Sequence, residues 1–176
     1  MKGIFYFSII YIFFSINLAL SFTLNPESKD INTGGRDDLS FLKAENSNLK
    51  KGNDALKRAL KYIDKNKKDK ADKYLEKALS YFVSANKETN ENAEILTLLG
   101  FSYYLVGDFI MSEIYYLEGL NIDPENVLIN QRLGQLYLDT GRIDLANGRL
   151  KILKKCSCKE YLQLKEASTK IKRSKN

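Results

Sequence analysis

A repeat governs the second half of this 176-residue chain. Sliding Ala93–Asn126 onto Val127–Glu160 lays Leu96, Leu99, Gly100, Tyr103, Gly107, Ser112, Tyr116 and Pro124 over Asn130, Leu133, Gly134, Tyr137, Gly141, Ala146, Leu150 and Cys158, each pair 34 residues apart. A fixed interval of this length means stacked supersecondary units, none of which can bury its apolar face alone. Gly100 and Gly134 sit inside amphipathic helical patterns, where glycine costs about 1 kcal/mol relative to alanine. Close approach of a neighbouring helix explains them, with Ser112 and Ala146 as the facing small surface and Tyr103, Tyr116, Tyr137 and Leu150 filling the remaining volume. Gly107-Asp108 and Gly141-Arg142 break the chain between the two helices of each unit. Asp123 before Pro124 reads as a helix N-cap followed by proline in the first turn.

The L-G-x-x-Y of one half, with a small residue followed four positions later by a large one in the other half, resembles the tetratricopeptide repeat. The resemblance implies an all-α fold: a short right-handed solenoid of antiparallel helix pairs, about three repeats plus a C-terminal capping helix. It divides the chain into a degenerate Lys-rich hairpin at 47–92, repeats at 93–126 and 127–160, and a capping helix with basic tail at 161–176. In the hairpin, Leu56, Ala59, Leu60 and Ile63 mark one apolar face and Ala71, Leu75, Ala78, Leu79 and Phe82 another, with the turn in Lys65–Asp69. Ala59, Tyr62, Ala71 and Leu75 take the family positions of Gly100, Tyr103, Ser112 and Tyr116, which makes the second helix overrun by seven residues. A competing register with strict spacing gives those last two roles to Ala78 and Phe82. In the final segment, Tyr161, Leu164, Ala167 and Ile171 share one face, as a terminal cap requires.

The resemblance also implies a function: the first helices of successive repeats line a groove that receives an extended or helical segment of a protein partner. Carried over by position, the groove comprises Leu60, Ile63, Glu94, Thr97, Phe101, Tyr104, Gln131, Gln135 and Leu138. Phe101 and Tyr104 are its aromatic anchors, since aromatic side chains offer large contact area for little entropy lost; the alternative is that they pack against a neighbouring helix. One subgroup of the family grips a partner's terminal carboxylate with lysine, arginine and asparagine. Thr97, Phe101, Gln131 and Gln135 stand at those stations here, so the resemblance does not extend to that clamp.

Chemistry is constrained by what is missing. Histidine is absent, which removes a Ser-His-Asp triad, an HExxH zinc site and a His-paired cysteine nucleophile. With no glycine-rich phosphate loop and no metal-ligand spacing beyond one C-x-C, the expectation is a non-enzymatic protein without cofactor or metal. In an exported chain Cys156 and Cys158 can pair or join another molecule, but a disulfide across one residue is strained, so they are expected to be plain cysteines of a polar turn, with intermolecular linkage or metal chemistry as alternatives.

The net charge of +6 hides an uneven distribution. Basic residues outnumber acidic ones from Lys43 to Lys77 and from Arg149 to Asn176, whereas Arg132 and Arg142 are the only basic residues between Glu88 and Gly148. An acidic central repeat repels phosphate, which argues against nucleic acid. Complementary charge suits steering of a partner or of a second copy; solvated helix faces are the plainer reading.

Lys2, the apolar run Ile4–Leu20 and Ala19-Leu20-Ser21 read as a signal peptide over 1–21, so the chain is expected to be exported after cleavage. The alternative is retention as a membrane anchor, with the repeats serving a structural or self-assembling role. Residues 22–46, broken by Pro26 and Gly34-Gly35, read as a flexible tether.

Overall fold

The computed structural model describes residues 39–89 and 92–174; the expected signal segment and residues 22–38 of the tether lie outside them. Among the described residues seven helices follow one another: α1 (Leu39–Asp64), α2 (Lys68–Glu88), α3 (Ala93–Val106), α4 (Phe109–Ile122), α5 (Val127–Asp139), α6 (Ile143–Leu153) and α7 (Lys159–Ser174). They pair as hairpins α1–α2, α3–α4 and α5–α6, and each hairpin stacks on the next through α2–α3 and α4–α5. The fold is therefore an all-α helical-repeat solenoid. Helix α1 starts at Leu39, inside the stretch read as a tether.

The three hairpin turns share one backbone solution. At each, the residue after the turn donates its N–H to a tyrosine carbonyl five positions back: Lys67 to Tyr62 at 2.9 Å, Asp108 to Tyr103 at 3.0 Å and Arg142 to Tyr137 at 2.7 Å. Between donor and acceptor, Asn66, Gly107 and Gly141 adopt φ of 53°, 92° and 75°. Glycine enters this left-handed region freely and asparagine with less penalty than most residues. The recurring geometry puts Tyr62, Tyr103 and Tyr137 in register and gives the first hairpin the alignment Ala59–Tyr62–Ala71–Leu75. Phe82 of the competing register also meets a small residue, two helical turns further from the turn: a Cβ on Gly52 would lie 2.5 Å from its ring. Seven residues are nearly two full turns of helix, so the longer hairpin accommodates both rungs.

Small residues make room where the helices cross. A Cβ on Gly100 would lie 2.6 Å from the ring of Tyr116, one on Gly119 2.7 Å from Ile129 Cδ1, and one on Gly134 2.4 Å from Leu164 Cδ2. The first contact is internal to a hairpin. The third is not, for Leu164 belongs to α7, which packs on both α5 and α6 and lays Leu164, Tyr161, Ala167 and Ile171 over their apolar end. Two core clusters result, one from α1, α2 and α3, the other from α4 through α7.

Helix starts follow local side-chain chemistry. Asn92 accepts the N–H groups of Glu94 and Ile95, Asp108 that of Met111, and Asn126 that of Ile129. Each satisfies donors that the first turn leaves without intrahelical partners. The expectation for Asp123 is thereby corrected: it ends α4, and its carboxylate accepts a hydrogen bond from Asn126 Nδ2 at 3.0 Å. Pro124 lies in the turn and α5 begins at Val127. Buried Asn130 secures this corner, donating to the carbonyls of Pro124 and Asn126 while its Oδ1 accepts from Arg149 at 3.3 Å.

The expectation of free turn thiols is likewise corrected. Cys156 and Cys158 form a disulfide between α6 and α7. Ser157 takes φ of 49°, folding the turn so that the flanking Cα atoms lie 5.1 Å apart, within bridging range.

Candidate functional site

The face built by α3 and α5 carries a shallow depression of about 220 Å³ lined by Glu94, Thr97, Leu98, Phe101, Asn126, Leu128 and Arg132. Three of these, Glu94, Thr97 and Phe101, were expected in the groove. They converge because positions three and seven residues beyond Glu94 fall on one helix face.

The floor is an aromatic–cation stack. The Arg132 guanidinium lies over the Phe101 ring, 3.7 Å from its centroid. Such a contact contributes about 1–2 kcal/mol when partly desolvated. Burial pushes the Arg132 pKa down, while its hydrogen bond with the Tyr116 hydroxyl opposes the shift. Tyr116 in turn is pushed up to about 12 by burial, so it keeps its proton and stays a neutral partner. Among the described residues Arg132 Nε is buried without a hydrogen-bond partner, an uncommon state for so strong a donor. The lining thus pairs apolar walls, Leu98 and Leu128, with a donor held below the surface.

Beside this depression lies a polar link between the two helices. Asp139 at the end of α5 accepts hydrogen bonds from the Tyr104 hydroxyl on α3 and from Gln135 Nε2 at 2.9 Å. Burial raises the Asp139 carboxyl above its ordinary 3.8, with the two hydrogen bonds opposing the shift. Tyr104 and Gln135 are thus brought together by a carboxylate that sequence reasoning did not place in the site.

The remaining expected residues are distributed differently. Leu60 and Ile63 are half-buried on α1, and Leu60 packs on the first core cluster. Thr97, Phe101, Gln131 and Leu138 are 6%, 5%, 7% and 3% exposed. They serve as floor and support, and contact falls to the rim: Glu94, Leu128 and Asn126. Arg132, Asn126, Leu98 and Leu128 were missed. Arg132 had a signal, being one of two basic residues in an acidic stretch and adjacent to Gln131 in the expected groove.

Helix α4 is apolar around most of its circumference. Ile110, Ile114 and Leu117 follow one another at helical spacing and remain exposed, Ile110 at 75%. Among the described residues no helix is long and apolar enough to cross a membrane, and no three potential ligands cluster to hold a metal ion.

The comparisons with known proteins accord with this architecture. A family model described as Tetratricopeptide repeat matches residues 56–81 and 93–126, within the first two hairpins. No curated protein matches the sequence. Among solved structures, the Arabidopsis OM64 TPR domain is similar, with a TM-score of 0.59 and 20% identity over 76% of this chain and 98% of that one. At that identity the likeness shows the fold. Domains of this repeat type generally mediate protein–protein interaction.

Proposed function

We propose that this protein is a non-enzymatic interaction module that receives a segment of a protein partner in the depression between α3 and α5. The observation that carries the reading is the buried Arg132 Nε, held over Phe101 and lacking an acceptor, at the floor of a depression with apolar walls. The fitting partner is an extended or helical segment offering an acceptor, a carboxylate or a backbone carbonyl, flanked by an apolar side chain for Leu98 and Leu128. Tyr104, Gln135 and Asp139 then fix the relative placement of the two helices. Export, with residues 1–21 as signal peptide, remains part of this reading and rests on the apolar run before Ser21.

The exposed stripe Ile110–Ile114–Leu117 favours a second reading, self-association through the outer face of α4. One experiment separates the two. Affinity capture with the full chain identifies a partner, which is then titrated against the purified chain, a Glu94→Lys/Leu128→Glu variant and an Ile110→Glu/Ile114→Glu variant. Circular dichroism confirms that each variant folds. Loss of binding in the first variant alone supports the depression. Unchanged binding there refutes it, and a parent dimer that dissociates in the second variant establishes self-association instead.

A further inference from the structure

The Cys156–Cys158 disulfide is not absorbed by a binding function, and its setting points elsewhere. A bridge across a single intervening residue closes so short a loop that it removes little entropy from the unfolded chain. Nor is it needed to hold α7, which docks through Leu164, Tyr161, Ala167 and Ile171. The bond is, however, open to reagents: Cys156 is exposed and Cys158 half-exposed. The two sulfurs are also electrically unequal. Cys158 stands immediately before α7, and its carbonyl accepts the N–H of Leu162 in the first turn. A negative charge on its sulfur lies at the positive end of a 16-residue helix. Lys154, Lys155 and Lys159 surround the turn; the nearby acids are Glu125 and Glu160, ion-paired to Lys155 at 2.8 Å and to Lys159 at 3.9 Å.

We propose that Cys156–Cys158 is a thiol–disulfide exchange site that oxidises thiols or dithiols, with Cys156 as the attacked sulfur and Cys158 as the leaving group. The substrate thiolate attacks Cys156 Sγ, and a substrate–Cys156 bond forms as the Cys156–Cys158 bond breaks. The released electron pair resides on Cys158 Sγ as a thiolate, stabilised by the α7 N-terminus and the lysines. A second substrate thiolate then attacks the substrate's own sulfur in the mixed disulfide, and Cys156 departs and takes up a proton. The substrate dithiol ends as a disulfide and the protein disulfide as a dithiol. Reverse exchange with a small-molecule disulfide restores the starting state.

The test uses the purified full-length chain in its oxidised form. It is exposed to reduced glutathione at neutral pH, quenched with acid, alkylated and analysed by mass spectrometry, beside an oxidised synthetic peptide of residues 154–161. The expected result is glutathione on Cys156 in preference to Cys158, and a reaction with the protein about ten-fold faster than with the peptide. A Lys154→Gln/Lys155→Gln/Lys159→Gln variant reacts more slowly than the parent chain, and helicity survives reduction. Attack at both sulfurs alike, a rate equal to the peptide's, or loss of helicity on reduction overturns the proposal, the last by making the bond a structural staple.

Discussion

Replacing Gly100 with alanine sets two opposed effects against each other at one site. Alanine is the better helix former by about 1 kcal/mol, so an unconstrained site gains stability. At Gly100, however, the added Cβ lies 2.6 Å from the ring of Tyr116, itself buried to 1% exposure. Ordinary carbon contacts sit near ~3.6 Å, so the ring or the helix must retreat by about 1 Å, and overpacking of this kind costs about 1–3 kcal/mol. The expected net change is a destabilisation of up to about 2 kcal/mol. Gly148 is the internal control, because it lies within α6 and a Cβ there meets nothing within 4 Å. Gly148→Ala is expected to stabilise by about 0.5–1 kcal/mol. Urea unfolding followed by circular dichroism gives both values. Tyr116→Leu, which copies the Leu150 of the next repeat, tests the cause: the double variant should recover much of what Gly100→Ala loses. If Gly100→Ala stabilises as much as Gly148→Ala, the close-approach account of Gly100 and Tyr116 is wrong.

Three further outcomes follow from the packing and charge. Leu164→Ala empties the notch at Gly134 and is expected to cost about 2–5 kcal/mol in thermal or urea unfolding, with α7 losing amide protection first. Asn126→Ala removes the N-cap of α5 and is expected to cost about 1 kcal/mol by the same measurement. Because burial raises the Asp139 carboxyl above 3.8, its contribution is fully present below about pH 4 and is lost as pH rises through the folded value. The stability of the native chain relative to Asp139→Asn is therefore expected to fall across that window and level off above it; a difference that grows with pH would contradict the burial argument.

Much of the architecture was legible because its signals repeat. Tyr62, Tyr103 and Tyr137 recur at one offset from their turns, and the same backbone hydrogen bond imposes that offset three times. The apolar face of α7 was legible for the same reason, its four positions following helical periodicity. What escaped depends on unique local geometry. Asp123 precedes a proline and Asn126 follows it, and both residue types cap helices, so composition alone did not separate them. The disulfide required the backbone of Ser157 to turn through a positive φ, which serine does not announce. The groove was half legible. Helix α3 is flanked by α2, α4 and α5, so most of its circumference is covered and Phe101 and Thr97 become floor. Arg132 was missed because its position, one residue beyond the expected contact face, matters only when an aromatic ring from the preceding repeat lies beneath it.

The seating of Leu164 against Gly134 has a consequence for growth. Helix α7 stands on α5 and α6 where the opening helix of a fourth hairpin would stand. It covers the apolar end of the third hairpin in place of a further repeat unit. Inserting a second copy of Ala93–Asn126 between Asn126 and Val127 would lengthen the ladder by one hairpin; its downstream junction to Val127 copies the existing one, while its upstream junction sets α4 against a second α3. The number of hairpins beneath α7 is thus an adjustable integer.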